Sequence, residues 1–110
     1  MASAYVLTKN TAGRFRFILR ADNNETILTS ELYETKTGAL NGIEAVRKNA
    51  PLDERYGRKT ASNGKPYFVL TAANGETIGT SELYSTDAAR ENGISAVKKV
   101  APDAPLIDNT

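Results

Sequence analysis

The chain repeats itself. Gly13 to Pro51 and Gly64 to Pro102 align at a constant offset of 51 residues without a gap, and 22 of the 39 pairs are identical. Tyr5 and Tyr56 match at the same offset, so the unit starts before the first glycine. A unit of this size is marginal alone. Stacking two of them buries an apolar face that neither could bury by itself. The 110 residues are therefore expected to form a single domain, 1–110. Repeat one spans about 4–54 and repeat two about 55–110, and the chain is expected to be a monomer.

Both units follow one local grammar. Phe15, Phe17, Leu19 and Ala21 alternate with Arg14, Arg16, Ile18 and Arg20, and this period of two predicts a half-buried strand. Phe68, Leu70 and Ala72 repeat the apolar face. Asp22-Asn23-Asn24 and Ala73-Asn74-Gly75 are tight-turn sequences, since Asn and Gly tolerate positive φ. Return strands follow at residues 25–30 and 76–81, with Ile27 and Ile78 inward.

A helix comes next. Thr35 and Thr86 (or Ser85) are candidate N-caps. Leu40, Ile43 and Val46, then Ile94 and Val97, recur at helical spacing. Arg47-Lys48 and Lys98-Lys99 suit a helix C-terminus, and Pro51 and Pro102 stop the helices. Ala4 to Lys9 and Arg55 to Thr60 read as opening strands, and Leu106-Ile107 as a last short one. The unit is β-β-β-α, twice. The expectation is an α+β fold: one antiparallel sheet with both helices packed on one face. Its core should hold Phe15, Phe17, Leu19, Ile27, Leu40, Ile43, Val46, Phe68, Leu70, Ile78, Ile94 and Val97.

Composition then limits the chemistry. There is no Cys and no His, which excludes disulfides, thiolate nucleophiles, His metal ligands and His-based triads. Fourteen Lys and Arg against 13 Asp and Glu leave a net charge of +1, without the basic excess of a dedicated nucleic-acid binder. No apolar run approaches a membrane span, and Met1 to Asn10 carries no apolar signal core, so the expected setting is cytoplasmic. No metal, cofactor or membrane is expected.

Two runs survive in both copies. Thr29-Ser30-Glu31-Leu32-Tyr33 recurs as Thr80-Ser81-Glu82-Leu83-Tyr84. Ser30, Glu31, Tyr33, Ser81, Glu82 and Tyr84 are thus candidate binding residues, each copy offering a hydroxyl, a carboxylate and a phenol. The competing reading is structural, with Ser capping local amides and Tyr sealing the helix edge. Asn41-Gly42-Ile43 recurs as Asn92-Gly93-Ile94. A mid-helix glycine costs about 1 kcal/mol relative to Ala, so a close approach to the sheet is expected there. Glu31 with Glu82, or Glu25 with Glu76, could pair for acid–base work, yet nothing in the sequence joins them. No catalytic residue is assigned.

The sheet face away from the helices should show Arg16, Ile18 and Arg20, then Tyr67, Val69 and Thr71. Arg16, Arg20 and Tyr67 are candidate binding residues on that face.

The tandem pattern F-x-L-x-A-x-N-x-E-T-I-x-T-S-E-L-Y, then N-G-I-x-A-V-x-K-x-A-P, resembles the YegP-like family of small bacterial proteins in its duplicated form. Glu54-Arg55-Tyr56, Lys59 to Lys65 and the Asp108-Asn109-Thr110 tail look like its enteric members. The resemblance implies β-β-β-α-β units in a single sheet with C-terminal strands exchanged, Arg55 to Thr60 closing one copy and opening the next. It carries no activity, cofactor or catalytic residue. Pro66 and Gly79 stand where copy one has Phe15 and Leu28, and both are expected to weaken the second hairpin.

The function expected is a non-enzymatic module binding a protein or peptide, by a sheet edge or the open face. The alternative is weak nucleic-acid binding on the open face.

Overall fold

The computed structural model describes residues 3–110. Repeat one supplies β1 (Ala4–Lys9), β2 (Phe15–Arg20), β3 (Thr26–Ser30) and α1 (Lys36–Asn49). A 3-10 turn (Asp53–Arg55) leads into β4 (Tyr56–Thr60), β5 (Pro66–Thr71), β6 (Thr77–Thr80), α2 (Asp87–Val100) and β7 (Leu106–Asp108). The strands form one seven-stranded sheet in the order β4-β5-β6-β3-β2-β1-β7. β3 and β6 pair antiparallel at its centre, Thr29 opposite Thr80, so the copies meet across a pseudo-twofold axis.

The turns and caps form as the residues dictate. Asn24 (φ 71°) and Gly75 (φ 88°) take left-handed backbone at the β2–β3 and β5–β6 hairpins. The Asn23 and Asn74 side chains accept the Glu25 and Glu76 amides at 3.0 Å. Thr35 Oγ1 accepts from Gly38 N at 2.9 Å, and Thr86, not Ser85, accepts from Ala89 N at 3.0 Å.

One cluster of buried residues unites both helices with the inward side chains of the strands, so the two helices share one face. Phe17, Leu19, Ile27, Ile43, Val46, Phe68, Leu70, Ile78, Ile94 and Val97 are buried as expected. Phe15 and Leu40 are only half-buried, packed on the cluster's margin. Tyr5, Leu7, Leu28 and Tyr56 belong to the core as well. Leu28 enters it because the β2–β3 register shifts between Leu19 and Arg20, which turns both Ile27 and Leu28 inward. Pro66 starts β5, where its missing N–H is tolerated.

Gly79 does not weaken the packing. It leaves room for Leu28, its own counterpart from copy one. A Cβ on Gly79 would lie 2.8 Å from Leu28 Cγ and 3.1 Å from Thr29 O.

The copies are interlocked. The Tyr5 hydroxyl donates to Ala101 O after α2, and Tyr56 donates to Ala50 O after α1, both at 2.7 Å. Arg47 of α1 stacks 4.7 Å from the Tyr5 ring centroid and donates to Pro102 O at 3.2 Å. Burial pushes both phenols well above their ordinary range.

The sheet is antiparallel from β4 through to β1, but β7 pairs with β1 in parallel, so it is mixed rather than antiparallel throughout. The cause is the connection. α2 ends beside the start of β1, where the Tyr5 hydroxyl holds Ala101 O, so the chain sets out again in the direction of β1, opposite to β6. β7 is the exchanged strand: it closes copy two yet lies on copy one.

Candidate functional site

The repeated Ser-Glu-Leu-Tyr corners are built mainly for the fold. Ser30 Oγ accepts the Phe17 amide at 3.0 Å and donates to Glu31 O at 2.7 Å. Ser81 does the same with Phe68 N (2.9 Å) and Glu82 O (2.8 Å). Both serines are buried. Each hydroxyl stands in for a ladder bond where its strand leaves the sheet, and so is spent on backbone. Tyr33 stacks on Phe17 and Tyr84 on Phe68, at 6.2 Å and 11° in each case. Each phenol lies against a helix glycine. A Cβ on Gly42 would fall 2.8 Å from Tyr33 Cζ, and one on Gly93 would fall 2.7 Å from Tyr84 Cζ. The close approach expected of these glycines is thus real, with tyrosine as the partner. Burial, then the neighbouring Glu31 or Glu82, raises both phenols.

The carboxylates pair across the copies rather than as the sequence suggested. Glu31 and Glu76 line one open concavity of about 530 Å³, with Lys59, Tyr67 and Thr80. Glu25 and Glu82 line another of about 500 Å³, with Thr26, Ile27, Leu83 and Tyr84. The antiparallel β3–β6 contact explains this, because it sets the end of each strand beside the start of the other. Leu32 and Leu83, kept in both copies, stand nearly half exposed, and Leu83 lines the second concavity. Among the described residues, no group of three or more Asp or Glu is placed to hold a metal.

The face away from the helices carries Arg16, Arg20 and Tyr67 as expected. Arg16 is exposed, Tyr67 half-buried. Arg20 is half-buried, and its Nε is buried without a hydrogen-bond partner among the described residues. Arg16 and Arg20 project from β2 and Tyr67 from β5, so β3 and β6 separate them. They do not form one cluster.

The two flanks of the sheet differ most. On one, β7 covers β1: Tyr5 N donates to Pro105 O (2.8 Å) and Asn109 N to Leu7 O (2.9 Å). Lys36, at the start of α1, reaches Asp108 at 2.6 Å. On the other, β4 is the outermost strand, and Arg58, Lys59 and Thr60 are exposed. Phe68 directs its N–H and C=O to Ser81, the residue after β6. Arg58, its partner in register, therefore turns its own N–H and C=O to the open edge. Tyr56 N–H is already taken by Asp53 O, so the free edge begins at the Tyr56 carbonyl.

A charged network borders this edge. Arg58 grips Glu91 of α2 through Nε (2.9 Å) and Nη2 (3.0 Å) and reaches Asp53 at 3.2 Å. Lys98 donates to Asp53 at 2.8 Å. Arg58 holds the Glu91 carboxyl below its usual range, and Lys98, then Arg58, does the same for Asp53. Sequence reasoning missed this network. Its signal lay in the repeat, where Leu7 becomes Arg58 and Leu40 becomes Glu91.

The family described as "Domain of unknown function (DUF1508)" matches twice, over residues 10–56 and 61–108. The chain is 53% identical to "UPF0339 protein YegP" of Escherichia coli K12 over 110 residues, all of both chains. It is 49% identical to a UPF0339 protein of Shewanella oneidensis, again over both full lengths. The solution NMR structure of E. coli yegP, described as a protein of unknown function, superposes with a TM-score of 0.94, covering 100% of this chain and 95% of that one. The S. oneidensis UPF0339 protein SO3888 superposes with a TM-score of 0.92, covering 98% and 92%. Among the described residues, no helix is long and apolar enough to cross a membrane. With two matched domains, full-length relatives at about half identity and the same fold, the chain belongs to the UPF0339 (YegP) family in its duplicated form.

Proposed function

We propose that this protein is a non-enzymatic peptide-binding module that takes an extended segment onto the β4 edge by strand addition. The observation that carries the reading is β7. An extended segment already docks in parallel on β1, and β4 is the repeat counterpart of β1 with its outward backbone groups free from the Tyr56 carbonyl onward. Main-chain hydrogen bonds would supply affinity there, and the bordering side chains specificity. The proposal takes the chain as a monomer in the cytoplasm. The spent serines and the absence of Cys and His favour binding over chemistry. Nucleic-acid binding on the far face is less favoured, because Glu31 and Glu76 share a concavity with Lys59 on that face.

The test is selection of displayed random peptides on the purified protein. Arg58→Pro removes the outward N–H, a change that edge strands tolerate. It should abolish capture, while Arg16→Glu with Arg20→Glu leaves capture intact. Peptides held equally by the Arg58→Pro protein would refute the edge. Single-stranded oligonucleotides bound in a steeply salt-dependent way would favour the far face instead.

A further inference from the structure

The copies differ at the residue that reads the docked strand. In copy one, Lys36 opens α1 and grips Asp108 of β7. Its counterpart in copy two is Asp87, which opens α2 with its side chain 83% exposed. Asp87 is loosely held, 3.8 Å from Arg90 Nη1. Sign and length are both exchanged. In copy one a long cation on the helix meets a short anion on the strand. In copy two the helix offers a short anion, which calls for a long cation on the strand.

The strand position in question lies beside Arg58, as Asp108 lies beside Leu7. Arg58 is itself neutralised by Glu91 and Asp53. The charged groups joined to Arg58 or to the start of α2 by ion pairs are Asp53, Asp87 and Glu91 against Arg58, Arg90 and Lys98. Arg58, Arg90 and Lys98 each have a carboxylate within 3.2 Å. Asp87 is the member without so close a partner.

Building on the strand-addition reading, we infer that the β4 edge selects an extended, parallel segment that carries Lys or Arg at the position Asp108 holds in β7, so that the charge of the docked strand is inverted. The chain's own β7 would set Asp108 near Asp87, and like charges there disfavour a second copy as the occupant.

Two synthetic peptides test this: Ala-Pro-Leu-Ile-Asp-Asn-Thr, which is residues 104–110, and its Asp108→Lys version. The readout is the amide NMR shifts of residues 57–60 during titration into the full chain. The Lys peptide should bind about tenfold tighter than the Asp peptide, the size expected when an exposed ion pair replaces a like-charge contact. Asp87→Asn should erase the preference, and Asp87→Lys should reverse it. Equal binding of both peptides at these amides overturns the charge assignment and leaves strand addition standing. No shift at residues 57–60 with either peptide at millimolar concentration overturns both.

Discussion

Leu7 and Arg58 occupy the same place in the two copies, one on each flank of the sheet. Leu7 is fully buried, with β7 laid alongside its strand. Arg58 is exposed and tied to Glu91 and Asp53. A covered flank can hold a leucine because the added strand removes it from water. An uncovered flank carrying the same leucine would offer an apolar edge to any passing strand, and charge prevents that. The residue beneath an edge thus reports whether the edge is covered by the chain itself or left for something else.

The equivalence of the two halves is most severely tested at their centres. Phe17→Ala and Phe68→Ala should each cost about 3–5 kcal/mol in urea unfolding, since both rings are fully buried in matching stacks. A gap between them well above about 1 kcal/mol would mean the halves are not energetic equals. At the flanks the halves should part. Leu7→Ala should cost about 2–4 kcal/mol by cavity formation, whereas Arg58→Ala, an exposed ion pair, should cost about 1 kcal/mol or less. Similar costs at both sites would remove the contrast drawn above.

The glycines give a smaller effect, again matched. Gly42→Ala and Gly93→Ala should each destabilise by about 1–2 kcal/mol through the displaced tyrosine, despite the better helix propensity of Ala. A rise in the unfolding midpoint for either would show that its tyrosine swings aside freely. The smallest effect belongs to β7. Lys36, then the Thr110 hydroxyl and amide, lowers the Asp108 carboxyl from 3.8 to about 2. A lowered carboxyl stabilises the docked strand at and above the unfolded value and loses that contribution as pH falls towards 2. The Asn109 amide shift should therefore hold steady from neutral pH down to about 4 and move as pH falls towards 2. Lys36→Gln should bring the change to higher pH.

Much of this was legible from the chain. Period two in β2, the Asn-containing turns and the paired helical stripes came directly from residues 13–51 read against 64–102. Ile27-Leu28 hid a core leucine, because a bulge breaks the alternation that a strand pattern assumes. β7 was readable as a strand but not in its direction, which depends on where α2 delivers the chain. The corner serines and tyrosines were correctly picked as exceptional. Their structural role, serine on backbone amides and tyrosine against the helix, was readable too; the partners were not, because the Phe17 amide and Gly42 are distant in sequence. The Arg58 network is written in what the copies change together, Leu7 to Arg58 and Leu40 to Glu91, and not in what they share.

Leu28 and Gly79 face each other across the pseudo-twofold axis, and that contact has a history written into it. Two identical units meeting there must place the same residue on both sides. Two leucines would collide, and two glycines would leave a hollow. Covalent joining of the copies lifts the requirement of identity, so one side could grow as the other shrank. A copy carrying only the leucine or only the glycine could not rebuild this contact by pairing with an identical twin, so the central seam depends on the two copies differing.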